Sequence, residues 1–342
     1  NREVKIIDQT KLPFEFKVQK LKSLNDFCTA ISDMKVRGAP LIGVTAALGF
    51  AKSIEQNSST LNIKKCYQKL LKTRPTAVNL KWALDTIKKK LLKTIPSKRA
   101  SLAFKLANLI RDDDIENCKQ IGINGLKIIE QIYNKKKNPV NILTHCNAGW
   151  LATVDYGTAL SPIFCANHAQ IPLHVWVDET RPRNQGALLT SWELKNEKIP
   201  HTVIVDNAGG HLMQNGKVDL CLVGSDRTAM NGDVCNKIGT YLKAISAYEN
   251  NIPFYVALPT STIDRNLKNG SHIPIEIRDG KELSDLIFEK SKKLSTGRIY
   301  KNKTKTFNPA FDVTPSKFIT ALITENGICK ADFSSIQRNL KV

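Results

Sequence analysis

DLCLVGSDRTAMNGDVCNKIGTYLK, residues 219–243, is the stretch from which the fold can be read. Leu220 to Val223 form a short apolar run that stops at Gly224, the pattern of a strand buried on both faces of a parallel sheet. Ser225 and Asp226 follow, then a polar loop with a turn signal at Asn231-Gly232. A helix is expected to start near Asp233 or Val234 and to run to Asn250. In open α/β sheets ligands bind beyond the carboxyl ends of the strands, and Asp226 stands there. Asn236 and Lys237 then fall in the first turn of that helix, where exposed amides favour anions and a lysine runs against the usual preference. Lysine and amides together would hold one bound anion. A capped strand followed by a solvated lysine fits the same letters.

Outward from this stretch the texture repeats. Val140 to Thr144 reads as a strand followed by His145-Cys146-Asn147-Ala148-Gly149, and Leu173 to Val177 as one followed by residues 178–186, DETRPRNQG. Val203 to Val205 precedes Asp206-Asn207, and Phe254 to Leu258 precedes Pro259-Thr260-Ser261-Thr262. Helices fit between, at Tyr156 to Asn167, Gly186 to Lys195 and Val234 to Asn250. The alternation predicts a doubly wound parallel sheet whose strand ends, polar or reactive throughout, gather along one edge.

Before Pro139 the chain reads differently. Val4 to Leu21 suggests a small hairpin; Ser23 caps a helix with Leu24, Phe27, Cys28, Ile31 and Met34 at helical spacing. A second, very apolar helix begins at Pro40, the preferred first position. Arg37-Gly38-Ala39 therefore sits just before a helix N-terminus, a phosphate cradle if its amides and guanidinium face a ligand, and an ordinary turn if they face solvent. Leu61 to Lys72 is amphipathic, and TRPTAVNL, with Arg74 before Pro75, breaks it. Lys81 to Ile95 and Ser97 to Tyr133 are further helices, the latter expected to be interrupted around Arg111-Asp114 and Gly122-Gly125. NKKKNP, Asn134 to Pro139, is the expected linker. Two domains follow: a mainly helical one at 1–133 and a Rossmann-like one at 134–342.

The 342 residues, 42% hydrophobic and 24% charged, suit a soluble globular protein. No stretch approaches the roughly 18 apolar residues of a membrane span. The chain opens NREVKIIDQT without methionine, so residues before Asn1 are expected to be missing. Eight cysteines without CxxC or Cys/His spacing read as reduced thiols of a cytosolic protein, with no zinc site. The net charge of +20 invites a nucleic-acid partner. Its basic residues are scattered, however, with no interleaved aromatics, which favours solvated helix faces and no nucleic acid.

Neither GxGxxG after a strand nor GxxxxGK[ST] occurs, so no nucleotide cofactor is indicated. A free cysteine commonly packs as a small hydrophobe; the position of Cys146 after a strand, among Asn147 and Gly149, favours a reactive thiol. His145 adjoins it, but neighbours at a strand end point apart. Asp226, enclosed among apolar residues, would have a raised pKa and donate a proton near neutrality. Thiol, carboxyl and an arginine/lysine anion clamp suit metal-free proton transfer on a sugar phosphate.

DMKVRGAPLIGV, RPTAVNL, LTHCNAGWLATVDYGTAL, ETRPRNQGALLTSWEL, VDNAGGHLM, VGSDRTAMNGDVCNKIGTY, IPFYVALPTSTID and NPAFDVTP together resemble the 5-methylthioribose-1-phosphate isomerases of methionine salvage, over nearly the whole chain. The resemblance implies a helical N-terminal domain, a Rossmann-like catalytic domain, a cytoplasmic homodimer and no cofactor. It implies Cys146 as catalytic cysteine and Asp226 as proton donor. It also implies substrate contacts at Arg37, Gly38 and Ala39, at Asn236 and Lys237, and at Arg74 and Gln185. Trp150, Ser225 and Met230 depart from the family pattern near the site. Isomerases of ribose 1,5-bisphosphate would share the catalytic pair but need a second anion site. The regulatory subunits of the eukaryotic translation-initiation exchange factor share the fold without the pair.

Overall fold

The computed structural model describes residues 2–74, 77–291, 293–301 and 304–341. Pro75 and Thr76, read above as part of a helix break, lie outside the described residues. The chain opens with the antiparallel hairpin β1 (Val4–Ile7) and β2 (Val18–Leu21). Helix α1 (Leu24–Ser32) starts at a reciprocal cap: Asp26 N–H donates to Ser23 Oγ, and the Asp26 carboxylate accepts from Ser23 N–H. Helix α2 (Ala39–Gln56) carries Pro40 in its first turn and is buried almost all round, as its lack of a polar face requires. Helices α3 (Thr60–Leu71) and α4 (Val78–Leu92) pack beside it.

Helix α5 (Pro96–Lys136) is one uninterrupted rod of 41 residues, which corrects the expected breaks. Asp114 does not end it, because its carboxylate is turned inward to accept from Val154 N–H at 2.8 Å. Nor do Gly122 and Gly125, which bring α5 against a neighbouring helix. A Cβ on Gly122 would stand 2.3 Å from Ser161 Oγ, and one on Gly125 2.4 Å from Pro162. Ala103 to Ile110 belong to the N-terminal helical core, and Ile121, Ile128 and Ile129 to the core under the sheet. The expected linker begins within the last turn of this helix; Lys137 closes it in the left-handed conformation, φ 55°.

The alternation then runs β3 (Val140–Thr144), α6 (Leu160–His168), β4 (Leu173–Asp178), a π-helical turn at Gly186–Thr190, α7 (Ser191–Asn196), β5 (His201–Ile204), α8 (Ala208–Gln214) and β6 (Leu220–Val223). Residues 234–250 are not one helix, which corrects the reading of the opening stretch. Beyond β6 come β7 (Arg227–Ala229), the Asn231-Gly232 turn and β8 (Val234–Lys237); α9 (Thr240–Glu249) starts only after Gly239, at φ 102°. The Asn231-Gly232 signal therefore marks a hairpin, and Val234 and Cys235 take the extended form that a β-branched, apolar pair favours.

The remainder comprises β9 (Phe254–Ala257), β10 (Ile263–Asp264), α10 (Lys281–Ser284), the hairpin β11 (Asp285–Lys290) and β12 (Lys293–Arg298), then β13 (Phe311–Thr314), β14 (Ala321–Thr324), β15 (Gly327–Cys329) and α11 (Phe333–Asn339).

The main sheet has the order β15-β14-β9-β6-β3-β4-β5, parallel throughout except for β15. On β3, Val140 and Ile142 face the core shared with α5 and α6, while Leu143 faces the core shared with α8, α9 and α11. From β3 the chain winds outward through β4 to β5. It then returns to the other side of β3 and winds through β6 and β9 to β14. The direction of winding reverses between β3 and β6, so the loops after these two strands part and leave a crevice. A second sheet, β10-β7-β8-β13, rises from the end of β6 and walls that crevice.

Candidate active site at the sheet switch point

Cys146 follows β3 and Asp226 follows β6, so the reversal of winding places thiol and carboxyl in one cavity. The Cys146 backbone is held in the left-handed conformation, φ 69°. This conformation is uncommon for a side-chain-bearing residue and needs support from its surroundings. Cys146 N–H donates to Thr180 Oγ1 at 2.9 Å, and Cys146 C=O accepts from Thr190 Oγ1 at 2.7 Å. His145, one residue earlier, points the other way: its Nδ1 lies 2.7 Å from Asp178 Oδ2 and its Nε2 2.8 Å from Ile238 O. The loop beyond Cys146 rests on Glu193, wholly buried, whose Oε1 accepts from Asn147 Nδ2 at 2.7 Å. Burial pushes the Glu193 carboxyl up to about 7.

The opposite wall comes from the turn before α2. Gly38 has φ 95°, and a Cβ there would meet Ala152 O at 2.3 Å, so only glycine lets this turn lie against the Cys146 loop. Arg37, 7% exposed, is buried with Nε and Nη2 lacking any partner among the described residues. Burial lowers its pKa to about 10.

Lys237 closes β8, paired in register with Phe311 of β13. Its Nζ donates to Ala310 O at 2.9 Å and sits 4.5 Å from the Phe311 ring centroid. Burial, helped by Arg278, pulls its pKa down to about 8. Asn236, its neighbour, gives its side-chain amide to Thr240 Oγ1 at 3.0 Å. Gln185, at the start of the π-helical turn after β4, is buried with Oε1 unpartnered. Arg74 brings a guanidinium from the helical half; its Nε is unpartnered and its Nη2 lies 3.6 Å from Glu276.

Cys146, Asp226, Arg37, Gly38, Ala39, Arg74, Gln185, Asn236 and Lys237 thus all line one cavity, joined by Arg278 and Phe311, which the sequence reading passed over. Phe311 lies inside the quoted NPAFDVTP motif. Arg278 stands in a stretch without periodicity or motif, and no local signal singles it out.

Burial raises the pKa of Asp226, against the pull of Lys237, Arg74, Arg278 and Arg37. Burial likewise raises that of Cys146, against Lys237 and Arg37. At neutral pH the balance favours a neutral thiol, with the carboxyl moved toward its acid form. Buried cations with unpartnered donors are costly, each such group on the order of 1–3 kcal/mol, unless a ligand supplies acceptors. A compact anion would. His145, Asp178 and Asp206 lie close enough to hold a metal ion. The Lys243 ammonium, however, stands 3.2 Å from Asp178 Oδ2 and donates to Asp206 O, supplying the positive charge there.

A conserved-domain description, "Initiation factor 2 subunit family", fits residues 35–331, and the chain belongs to that family. Within it the chain is 55% identical to methylthioribose-1-phosphate isomerase of Escherichia coli O45:K1, over 98% of this chain and 91% of that one. It is 54% identical to the enzyme of the same name from Sinorhizobium medicae, over 96% and 92%. Among solved structures, 5-methylthioribose 1-phosphate isomerase from Pyrococcus horikoshii superposes with a TM-score of 0.84 at 38% identity, covering 100% of this chain and 94% of that one. The translation initiation factor eIF-2B subunit delta from A. fulgidus gives 0.80 at 36%, covering 99% and 97%.

Proposed function

We propose that this chain is an aldose–ketose isomerase converting 5-methylthioribose 1-phosphate to 5-methylthioribulose 1-phosphate, with Asp226 as proton donor and Cys146 as its partner. The observation that carries the reading is the pairing of this thiol and carboxyl in a cavity where guanidinium donors of Arg37 and Arg74 are buried without acceptors among the described residues. The substrate phosphate locks the anomeric oxygen, so the ring cannot open as in a free aldose. Asp226, kept toward its acid form by burial, protonates the ring oxygen and the C1–O bond breaks. The hydrogen on C2 passes to C1, the C2 hydroxyl becomes the ketone, and its proton restores Asp226. Cys146 stabilises the charge that develops between C1 and C2. Arg37, the amides of Gly38 and Ala39, and Lys237 hold the phosphate and so the orientation. Gln185, Asn236 and Arg74 complete the contacts.

Ile42, Ala77, Ile273, Pro274 and Phe311 line an apolar recess that adjoins Asp226 and Arg74, suited to the methylthio group. The chemistry needs no metal in this reading, because side-chain cations supply the charge. The same reading takes the enzyme as a cytoplasmic homodimer of a helical and a catalytic domain; no described helix is long and apolar enough to cross a membrane.

The test is an NMR time course with methylthioribose 1-phosphate and EDTA, run beside Cys146→Ser. Ketose formed by the wild-type chain alone is expected. No conversion by folded wild type would overturn the reading and favour a part in translation initiation, as the name of the A. fulgidus relative gives for that protein.

A further inference from the structure

The cavity holds one cation more than the phosphate clamp described above uses. Arg278 is carried by no helix, yet its position is fixed. Arg278 N–H donates to Asn308 O at 2.9 Å, Ala310 N–H donates to Glu276 O at 2.9 Å, and Ile277 bridges Pro309 between them. This short ladder prolongs the edge of β13, whose Phe311 faces Lys237. The Arg278 guanidinium lies 5.4 Å from the Phe311 ring centroid, so Lys237 and Arg278 flank one ring. Its side chain is 7% exposed, and its Nε lies 3.1 Å from Glu276 Oε1. The other oxygen of Glu276 is 3.6 Å from Arg74 Nη2. One carboxylate thus braces two arginines that come from opposite halves of the chain.

We propose that Arg278 is a further phosphate-binding residue of this site, and that Glu276 is a positioning residue which sets where Arg74 and Arg278 point. This rests on the reading of the cavity as a sugar-phosphate site. Charge supports it. With Asp226 in the acid form that its role requires, Arg37, Arg74, Lys237 and Arg278 face the one carboxylate of Glu276, leaving three positive charges. A phosphomonoester dianion neutralises two of them. Burial pushes the Glu276 carboxyl up, but Arg278 and Arg74 more than offset it and hold the acid ionised. Without Arg278 the clamp loses one of the three. Without the charge of Glu276 the cations lose their one counter-charge, and the arginines lose their brace.

The test uses inorganic phosphate as a competitive inhibitor and as a thermal-shift ligand, beside the kinetics of isomerisation. Arg278→Ala should raise KM and the inhibition constant of phosphate together, on the order of tenfold to a hundredfold, with a smaller fall in kcat; Arg278→Lys should recover part of both. Glu276→Gln should bind phosphate as tightly as wild type or more so, while kcat falls. Arg265→Ala, a change of the same charge at an exposed position, should alter neither. An unchanged phosphate constant in Arg278→Ala, or equal losses in Ala and Lys variants confined to kcat, would overturn the proposal. If wild type fails to isomerise the sugar yet phosphate raises its melting temperature and Arg278→Ala abolishes that rise, the substrate reading falls and the anion role of Arg278 stands.

Discussion

Two buried clusters of charge sit back to back at the end of β3, one residue apart in sequence. On one side His145, Asp178, Lys243 and Asp312 bind one another and the backbone around them, and of their polar atoms Asp178 Oδ1 alone is buried without a partner among the described residues. His145 bridges Asp178 and Ile238 O, Lys243 reaches Asp178 and Asp206 O, and Asp312 accepts from Gly239 N–H at 2.7 Å. On the other side Arg37, Arg74 and Gln185 leave buried polar atoms without partners. Composition does not separate the two clusters; the degree of saturation does, one acceptor oxygen against three guanidinium donors and an amide oxygen. A buried polar network whose donors all find acceptors within it holds a fold together, whereas one with donors left open is completed by something from outside.

Substitutions should treat the two clusters differently. Asp226→Asn keeps shape and removes the proton, so turnover should fall by about 10²–10⁴-fold while phosphate affinity stays close to wild type. Turnover retained in steady-state kinetics would erase the contrast from the open side. Asp178→Ala strands His145 and Lys243 in the interior, and breaking such a buried pair costs about 3–5 kcal/mol. The expected result is a large loss in urea or thermal unfolding, with kcat per folded molecule within a few-fold of wild type.

Glu193, beneath the Cys146 loop, sharpens the comparison through pH. Its folded pKa of about 7 lies above the ordinary 4.5 of a glutamate, so its neutral form is the one the fold accommodates. The stability it supports is present in full below about 4.5 and is lost as pH rises through about 7, on the order of 1–3 kcal/mol. Glu193→Gln should flatten that part of the curve of melting temperature against pH. Asp114, raised to about 7, and Asp312, raised to about 6, both by burial, should leave a residual slope.

The smallest effect belongs to Lys237. Its ammonium is charged below about 8 and is lost above, so phosphate should bind several-fold more weakly as pH rises from 7.5 to 9, roughly tracking loss of one counter-charge. Lys237→Met should bind weakly at both ends and remove the pH dependence.

Much of this geometry is legible in the letters. Apolar runs stopped by glycine or polar residues mark β3 and β6 to the residue, because buried parallel strands have no polar face to blur their ends. The proposed catalytic pair and the Arg37 turn follow from strand ends and a helix start. The second sheet is not legible. β7 is three residues long and mostly polar, and β8 reads as a helix start until the left-handed Gly239 separates it from α9. Nor is the role of Arg278, which reaches the cavity through a ladder between segments some 30 residues apart. Long-range pairing without periodicity leaves no local trace.

Helix α5 sets a rule of a different kind, one of counting. Its front half is keyed to the helical core and its back half to the sheet, with Gly122 seated against Ser161. One residue added or removed between those halves would turn one face by about 100° and shift it by about 1.5 Å relative to the other. Lysine and leucine can be exchanged along the outside of such a rod, but its number of residues between Ile110 and Ile121 cannot drift. An insertion or deletion there would break one of the two fits, and the spacing along that single helix is the gauge that keeps Arg37 and Arg74 opposite Cys146 and Asp226.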